Sequence, residues 1–426
     1  MRKLKEKISN LSIDWRTVVI FLSVIGPGII TANVDNDAGG ITTYSLAGAN
    51  FGYMLLWSLI PITLVLILVQ EMVARMGVVT GKGLADLIRE KYGIKITFYV
   101  MMALILANFG NVVAEFAGVA AAGEIFGISR YILVPVVAFG VWLLVVKGTY
   151  KFVEKIFLWA CLFYITYIIS GFMAKPDWAV VAHSTFIPTM PSGEMFVPYI
   201  MMIIGIIGTT IAPWMQFYLQ SSVVEKGIKI EEYKYTMWDV IMGSIITDVV
   251  AFFIILTSAI IFFKFGAGYV QTADQAAIAL QPLAGNYATY LFAFGLLNAS
   301  IFAASILPLS TSYSVCEGLG FESGINKKFG EAPVFYTIYT LLIIVGAGII
   351  LIPGTNLITI MFISQVLNGM LLPVILIFML LLINDKKLMG KHVNSDWYNW
   401  VAWSSVIIIS GLTLILVASY IWPSLF

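Results

Sequence analysis

Long apolar runs alternate with short polar stretches along the whole chain. Eleven of the runs are long enough to cross a bilayer as a helix, near 17–46, 53–76, 96–123, 131–149, 152–174, 195–223, 236–265, 286–316, 332–353, 357–384 and 398–422. A crossing helix needs about 20 apolar residues. The first run is longer than that and is not uniform. Its middle reads Gly26-Pro27-Gly28-Ile29-Ile30-Thr31-Ala32-Asn33-Val34-Asp35-Asn36-Asp37-Ala38-Gly39-Gly40. Acids at bilayer depth are costly and normally face a cavity or a partner. The stretch predicts a helix that unwinds and turns carbonyls and carboxylates toward a cation.

The sixth run is interrupted in a similar way, at Gly205-Ile206-Ile207-Gly208-Thr209-Thr210-Ile211-Ala212-Pro213-Trp214-Met215-Gln216. Pro213 removes one backbone donor and crowds the carbonyl a turn before it. Two interrupted segments five apart are what an inverted repeat gives. The expected fold is an all-α polytopic membrane protein with eleven transmembrane helices. It has a five-plus-five inverted repeat with unwound first and sixth helices. One integral domain spans 1–426, with repeats at about 17–174 and 195–384 and an extra helix at 398–422.

Charge orients this scheme. With the N-terminus inside and the segments alternating, 21 of the 24 Lys and Arg fall on the inner side. Arg130, Lys175 and Lys264 fall outside. Inner loops attract Lys and Arg, so the expected location is the cell membrane, with the N-terminus cytoplasmic and the C-terminus outside. The longest outer loop, Ala174 to Glu194, contains Pro176, Pro188 and Pro191.

Composition adds exclusions. The chain is 60% hydrophobic and 11% charged, against about 25% charged in soluble domains. A net charge of +1 singles out no partner. No basic patch interleaved with aromatics suggests nucleic acid. Membrane lipid and a transported ion are the expected partners, and a monomer is expected. Cys161 and Cys316 both fall in apolar segments, which argues against a disulfide framework. His183 and His392 fall in expected loops. The basic N-terminus reads as carrying no removable signal peptide. No nucleophile pair, His-rich cluster or cofactor motif appears, so neither an enzyme nor a resident cofactor is expected.

The candidate ligands are oxygens. Asp37 is the first choice and Asp35 the second, one acid in the site and the other in a vestibule. Asn33 and Asn36 add amide oxygens. Glu115 lies within the third segment with no basic residue near it in sequence, and lines the site or a hydrated path. Asp248 and Glu317 are weaker candidates, Glu317 being near the inner face and solvated. Gln365 is a neutral oxygen donor midway along the tenth segment. Carboxylate, amide, hydroxyl and carbonyl oxygens suit hard cations such as Mg2+, Ca2+ and Mn2+. The small residues Ala38, Gly39, Gly40 and Ala212 leave room for an ion that keeps part of its water.

Several stretches together resemble the NRAMP superfamily of divalent-metal transporters, over almost the whole chain. They are Gly26-Pro27-Gly28 through Asp37 to Phe51-Gly52-Tyr53, Gln70-Glu71-Met72 through Gly83-Leu84-Ala85-Asp86, Ala114-Glu115-Phe116, Leu291 through Cys316-Glu317-Gly318, and Ser364-Gln365-Val366. The departures are as informative. The family's Asp-Pro-Gly-Asn stands here as Asp37-Ala38-Gly39-Gly40. Its Met-Pro-His stands as Ala212-Pro213-Trp214. An acid usually found three residues before Glu115 is Val112. Thr209 takes the position whose backbone carbonyl the family supplies, and Thr210 follows it. Gln365 matches the family's glutamine.

This pattern is most similar to the NRAMP-related magnesium transporters. The resemblance implies a transporter of Mg2+ and Mn2+, carried largely hydrated, without proton coupling, by rocking-type alternating access. The metal-site residues it implies, with those read from the chain itself, are Asp37, Glu115, Gln365, Thr209, Thr210, Gly40, Ala212 and Asp35. A proton-coupled Mn2+/Fe2+ carrier is the alternative. A carrier of a small organic amine, with Trp214 and Phe217 lining its pocket, is a further one.

Overall fold

Apolar helices of bilayer length dominate the chain because every backbone polar group in hydrocarbon must find its partner within the protein. A computed structural model describes residues 28, 31–32, 34–147, 164–266, 268 and 270–422. The described residues form helices and turns only. The principal helices are α1 (Ala38–Phe51), α2 (Leu56–Thr80), α3 (Leu84–Ile125), α4 (Arg130–Lys147), α5 (Ile165–Met173), α6 (Phe196–Thr210), α7 (Pro213–Glu225), α8 (Tyr233–Phe265), α9 (Ala288–Leu319), α10 (Pro333–Ile350), α11 (Leu357–Ile383) and α12 (Asp396–Ile421).

Among the described residues, nine spans, continuous or interrupted, are long and apolar enough to cross a membrane. The first and fifth expected segments lie partly outside the described residues, as do Asn33, Cys161 and the basic N-terminus. The sixth segment is α6 followed by α7, with Ile211 and Ala212 between them.

Three details differ from expectation. The third segment begins twelve residues earlier than 96, at Leu84, as a short helix joined to the main one through Gly93 at φ 79°. A residue with no Cβ adopts that conformation without steric cost. The long loop before the sixth segment carries a helix at Trp178–Phe186, so His183 is helical. Asp177 caps this helix, its carboxylate accepting from the Ala179 and Val180 N–H groups at 2.9 and 3.4 Å. Glu317 is half-buried rather than solvated. A side chain on Gly83 would overlap its carboxylate, so the 81–83 turn folds directly over it.

Ties between loops test the alternation of the segments. At one end, Arg75 donates to the His392 carbonyl at 2.8 Å and to Asn394 Oδ1 at 2.5 Å, and pairs with Glu71 at 3.0 Å. Tyr233 donates to the same Glu71. Gln220 donates to the Lys82 carbonyl at 2.8 Å. Lys91 pairs with Asp385 at 3.0 Å, which holds the half-buried Asp385 carboxyl below its usual range. Glu225 accepts from Tyr313 and, at 3.0 Å, from Asn326. These ties join the 2–3, 6–7, 8–9 and 10–11 connections, the ones rich in Lys and Arg. We call this the basic end. At the far end, Arg130 donates to Thr355 at 3.1 Å and Asn50 accepts from the Gly268 N–H at 2.7 Å. Connections that alternate in sequence therefore meet in space.

In the interior, α3 lies along α9 and α11, α1 along α8, and α6 along α11. Large apolar side chains such as Leu106, Phe139, Ile407 and Leu414 are exposed on the perimeter, the face a bilayer would cover.

Candidate metal site

The break in the first segment is a short 3-10 turn, Val34–Asn36, followed by Asp37 in extended conformation and then α1. Asp37 caps α1: its Oδ1 accepts the Gly40 N–H at 2.6 Å. Asp, Asn, Ser and Thr favour this position because a short polar side chain reaches the free N–H groups of the first turn. The next free donor, the Ala38 N–H, bonds Glu115 Oε2 on α3 at 3.2 Å. The Asp37 and Glu115 carboxyl groups therefore meet at the first turn of α1. Among the described residues, Glu115 Oε1 has no hydrogen-bond partner. Both residues are buried. Two buried carboxyl groups at one turn suit a cation shared between them, since like charges disfavour each other.

The break in the sixth segment lies opposite. Ile211 and Ala212 leave helical geometry, and α7 starts at Pro213. Pro213 offers no N–H to the Thr209 carbonyl one turn back. The Thr209 hydroxyl donates to the Asp35 carbonyl at 3.1 Å. The Thr210 hydroxyl is shared between Tyr44 OH at 2.7 Å and the Ile206 carbonyl at 2.8 Å. The Ala212 carbonyl accepts from the Met215 N–H and from Gln216 Nε2, at 3.1 and 3.2 Å.

Close packing holds the two breaks together. A Cβ on Gly40 would overlap the Asp35 carbonyl and meet the Thr209 hydroxyl at 3.0 Å, and one on Gly39 would overlap the Gln365 amide. Gln365 therefore lies directly over the first turn of α1. Its Oε1 accepts from Asn368 Nδ2 at 3.0 Å. Asn368 and Asn111 exchange amide bonds at 3.1 and 3.0 Å, linking α11 to α3.

The structure thus gathers Asp37, Glu115, Gln365, Gly40 and Thr209 around one point. Asp35 is adjacent in sequence but is only 1% exposed, so it lies in no open vestibule. The Thr210 hydroxyl and the Ala212 carbonyl are already engaged. Asn111, Asn368 and Tyr44 support the site without having been singled out from the sequence. No group of three or more His, Cys, Asp or Glu side chains with metal-holding geometry occurs among the described residues. An ion beside Asp37 would draw on one or two carboxylates and complete its shell with carbonyls, amides or water.

A far-end cavity of about 390 Å3 lies above this point, lined by Ala121, Glu124, Arg130, Asp274, Asn356 and Ile358, among others. Ala121 is six residues from Glu115 and Ile358 seven from Gln365, which at 1.5 Å per helical residue puts the cavity floor about 10 Å above the site. Between them the Thr42 hydroxyl meets Met361 Sδ at 3.5 Å.

Known proteins share this architecture. The profile of the family described as natural resistance-associated macrophage protein-like matches residues 28–419. A relative from Klebsiella pneumoniae, named divalent metal cation transporter MntH, is 30% identical over 400 residues, covering 92% of each chain. A solved structure of the Eremococcus coleocola manganese transporter, bound to an aromatic bis-isothiourea compound, superposes with a TM-score of 0.79. It is 23% identical and covers 96% of this chain and 88% of its own. The nucleobase-cation-symport-1 transporter MHP1 shares the fold more distantly, with a TM-score of 0.59 and 14% identity over 92% of this chain and 90% of its own. With the two helix breaks facing each other and nearly the full length matched, the chain belongs to the natural resistance-associated macrophage protein-like (Nramp) family.

Proposed function

We propose that this chain is a secondary transporter of divalent metal cations, Mg2+ and Mn2+, rather than an enzyme. It carries the ion largely hydrated, without proton coupling, by alternating access. The observation that carries the reading is that the Asp37 and Glu115 carboxylates meet at the first turn of α1, through the Gly40 and Ala38 N–H groups, at the break of the first segment. Asp37 is the main ligand. Glu115, Gln365 and the Thr209 carbonyl hold the ion's water or make secondary contacts. Thr210, Gly40 and Ala212 shape the space, and the Asp35 carbonyl closes one side of it.

The names of the relatives, a divalent metal cation transporter and a manganese transporter, support the cargo class. Mg2+ rests on this chain's own donors. Ala212 brings a methyl group where a thioether would favour softer ions, and the oxygens that remain suit a hard one. The repeats 17–174 and 195–384 are the units that rock, and 398–422 is the added helix. With the basic end cytoplasmic, a potential negative inside drives entry by about 2.3 kcal/mol per charge per 100 mV.

A proton-coupled Mn2+/Fe2+ carrier is the second reading, favoured by the buried Glu115 beside Asp37. Purified protein in liposomes at a clamped negative potential separates the two. Internal dyes follow Mg2+ and pH. Mg2+ entry without acidification supports the first reading. Silence toward Mg2+, with Mn2+ entry that acidifies the lumen, replaces it with the second.

A further inference from the structure

The Asp37 pocket leaves two buried acids unexplained. Asp35 and Asp248 are 1% and 5% exposed; among the described residues neither Asp35 carboxylate oxygen has a hydrogen-bond partner, and Asp248 has only the neighbouring Thr63 hydroxyl. Among the described residues no ion pair involves either acid. Asp248 is on α8 next to Thr247, and Asp35 is next to Asn36, so both acids lie at the contact between the unwound turn and α8. That contact is fixed in register by Asn36, whose Nδ2 donates to the Thr247 carbonyl at 3.5 Å.

The surrounding side chains offer further oxygens. Asn36 Oδ1, at the same contact, is buried and unpartnered. Thr63 of α2 lies beside Asp248, and its hydroxyl proton is committed to the Leu59 carbonyl at 2.7 Å. The same hydroxyl is within hydrogen-bond reach of the acid. Carboxylate and amide oxygens only accept. A buried carboxylate without a counter-charge is among the most costly groups to fold inward, and a cluster of carboxylate, amide and hydroxyl oxygens is the shell that a hard cation fills.

We propose that Asp35 and Asp248 form a second cation site, separate from the Asp37 pocket, that takes one small hard cation between the unwound first segment and α8. Asn36 Oδ1 and Thr63 Oγ complete its shell. The site lies where the unwound turn, α2 and α8 meet. An ion there would stiffen the unwound turn from behind while cargo binds in front. The inference does not depend on which ion is transported.

The test is equilibrium binding of radioactive Mn2+ and, separately, Na+ to the detergent-purified full chain. Wild type, Asp37→Asn, Asp35→Asn and Asp248→Asn are compared. The expected result is that Asp37→Asn retains one bound ion that Asp35→Asn and Asp248→Asn both lose. Retention of Mn2+ makes the site divalent; retention of Na+ makes it monovalent. The proposal is overturned if Asp37→Asn binds neither ion, or if both other variants bind as the wild type does. A second measurement spares both acids. The retained ion raises the melting temperature of the Asp37→Asn chain, and an unchanged melting temperature with either ion overturns the site. Uptake by wild-type protein is a separate readout, so failure here leaves the transport reading untouched.

Discussion

The Thr209 hydroxyl donates to the Asp35 carbonyl at 3.1 Å, so the break in the sixth segment is tied by one bond to the break in the first. Both residues are buried. The bond fixes the direction of the 3-10 turn and with it the position of Asp37 two residues on. Thr209→Val keeps the shape and removes the donor. It should lower stability by about 1 kcal/mol, the usual net value of such a bond, and reduce Mn2+ uptake. Thermal melting and liposome flux check the two effects together.

The carboxylate of Asp37 is the group the transport reading depends on most. Asp37→Ala should cut Mn2+ and Mg2+ uptake about tenfold or more, equivalent to ~1.4 kcal/mol in a rate. Normal flux in that variant would remove Asp37 from the site and turn attention to Asp35.

Two glycines make a matched pair. At Gly40 a methyl group would overlap the Asp35 carbonyl, whereas at Gly110 it would meet only Ser364 Cβ at 3.9 Å. Gly40→Ala should abolish transport by displacing the turn. Gly110→Ala should transport normally and gain up to about 1 kcal/mol from helix propensity. Similar behaviour of the two variants would show that the turn at Gly40 is not tightly packed.

Arg75 binds Glu71, the His392 carbonyl and Asn394 at once, and its guanidinium lies 5.7 Å from the Tyr398 ring centroid. Lysine keeps the charge but lacks the planar fork. Arg75→Lys should therefore destabilise the basic end by about 1–3 kcal/mol, through polar groups left unsatisfied. Melting temperature is the readout, and a change within error would mean that water replaces the lost bonds.

Much of this was legible in the sequence because bilayer physics writes it there. Apolar length located α2, α8, α11 and α12 to within a few residues, and Pro213 marked where α7 begins. Asp37 was legible because an acid at that depth needs a function. What pairs with what was not. Asn111 and Asn368 are 257 positions apart, and nothing local to either names the other. The helix at 178–186 was hidden because three prolines dominate its loop, although Asp177 is a visible N-cap signal. Which way Asp35 faces depends on the phase of a turn that periodicity does not fix.

The reciprocal amide bonds between Asn111 and Asn368 have a mechanical consequence. Neither partner carries a charge, so neither proton concentration nor membrane voltage has a handle on the bond. A carrier whose moving parts answer to ions needs something that ignores them. This neutral clasp joins α3 and α11, one from each repeat, so when the repeats rock it is opened or kept by their movement alone, not by a change in pH or voltage.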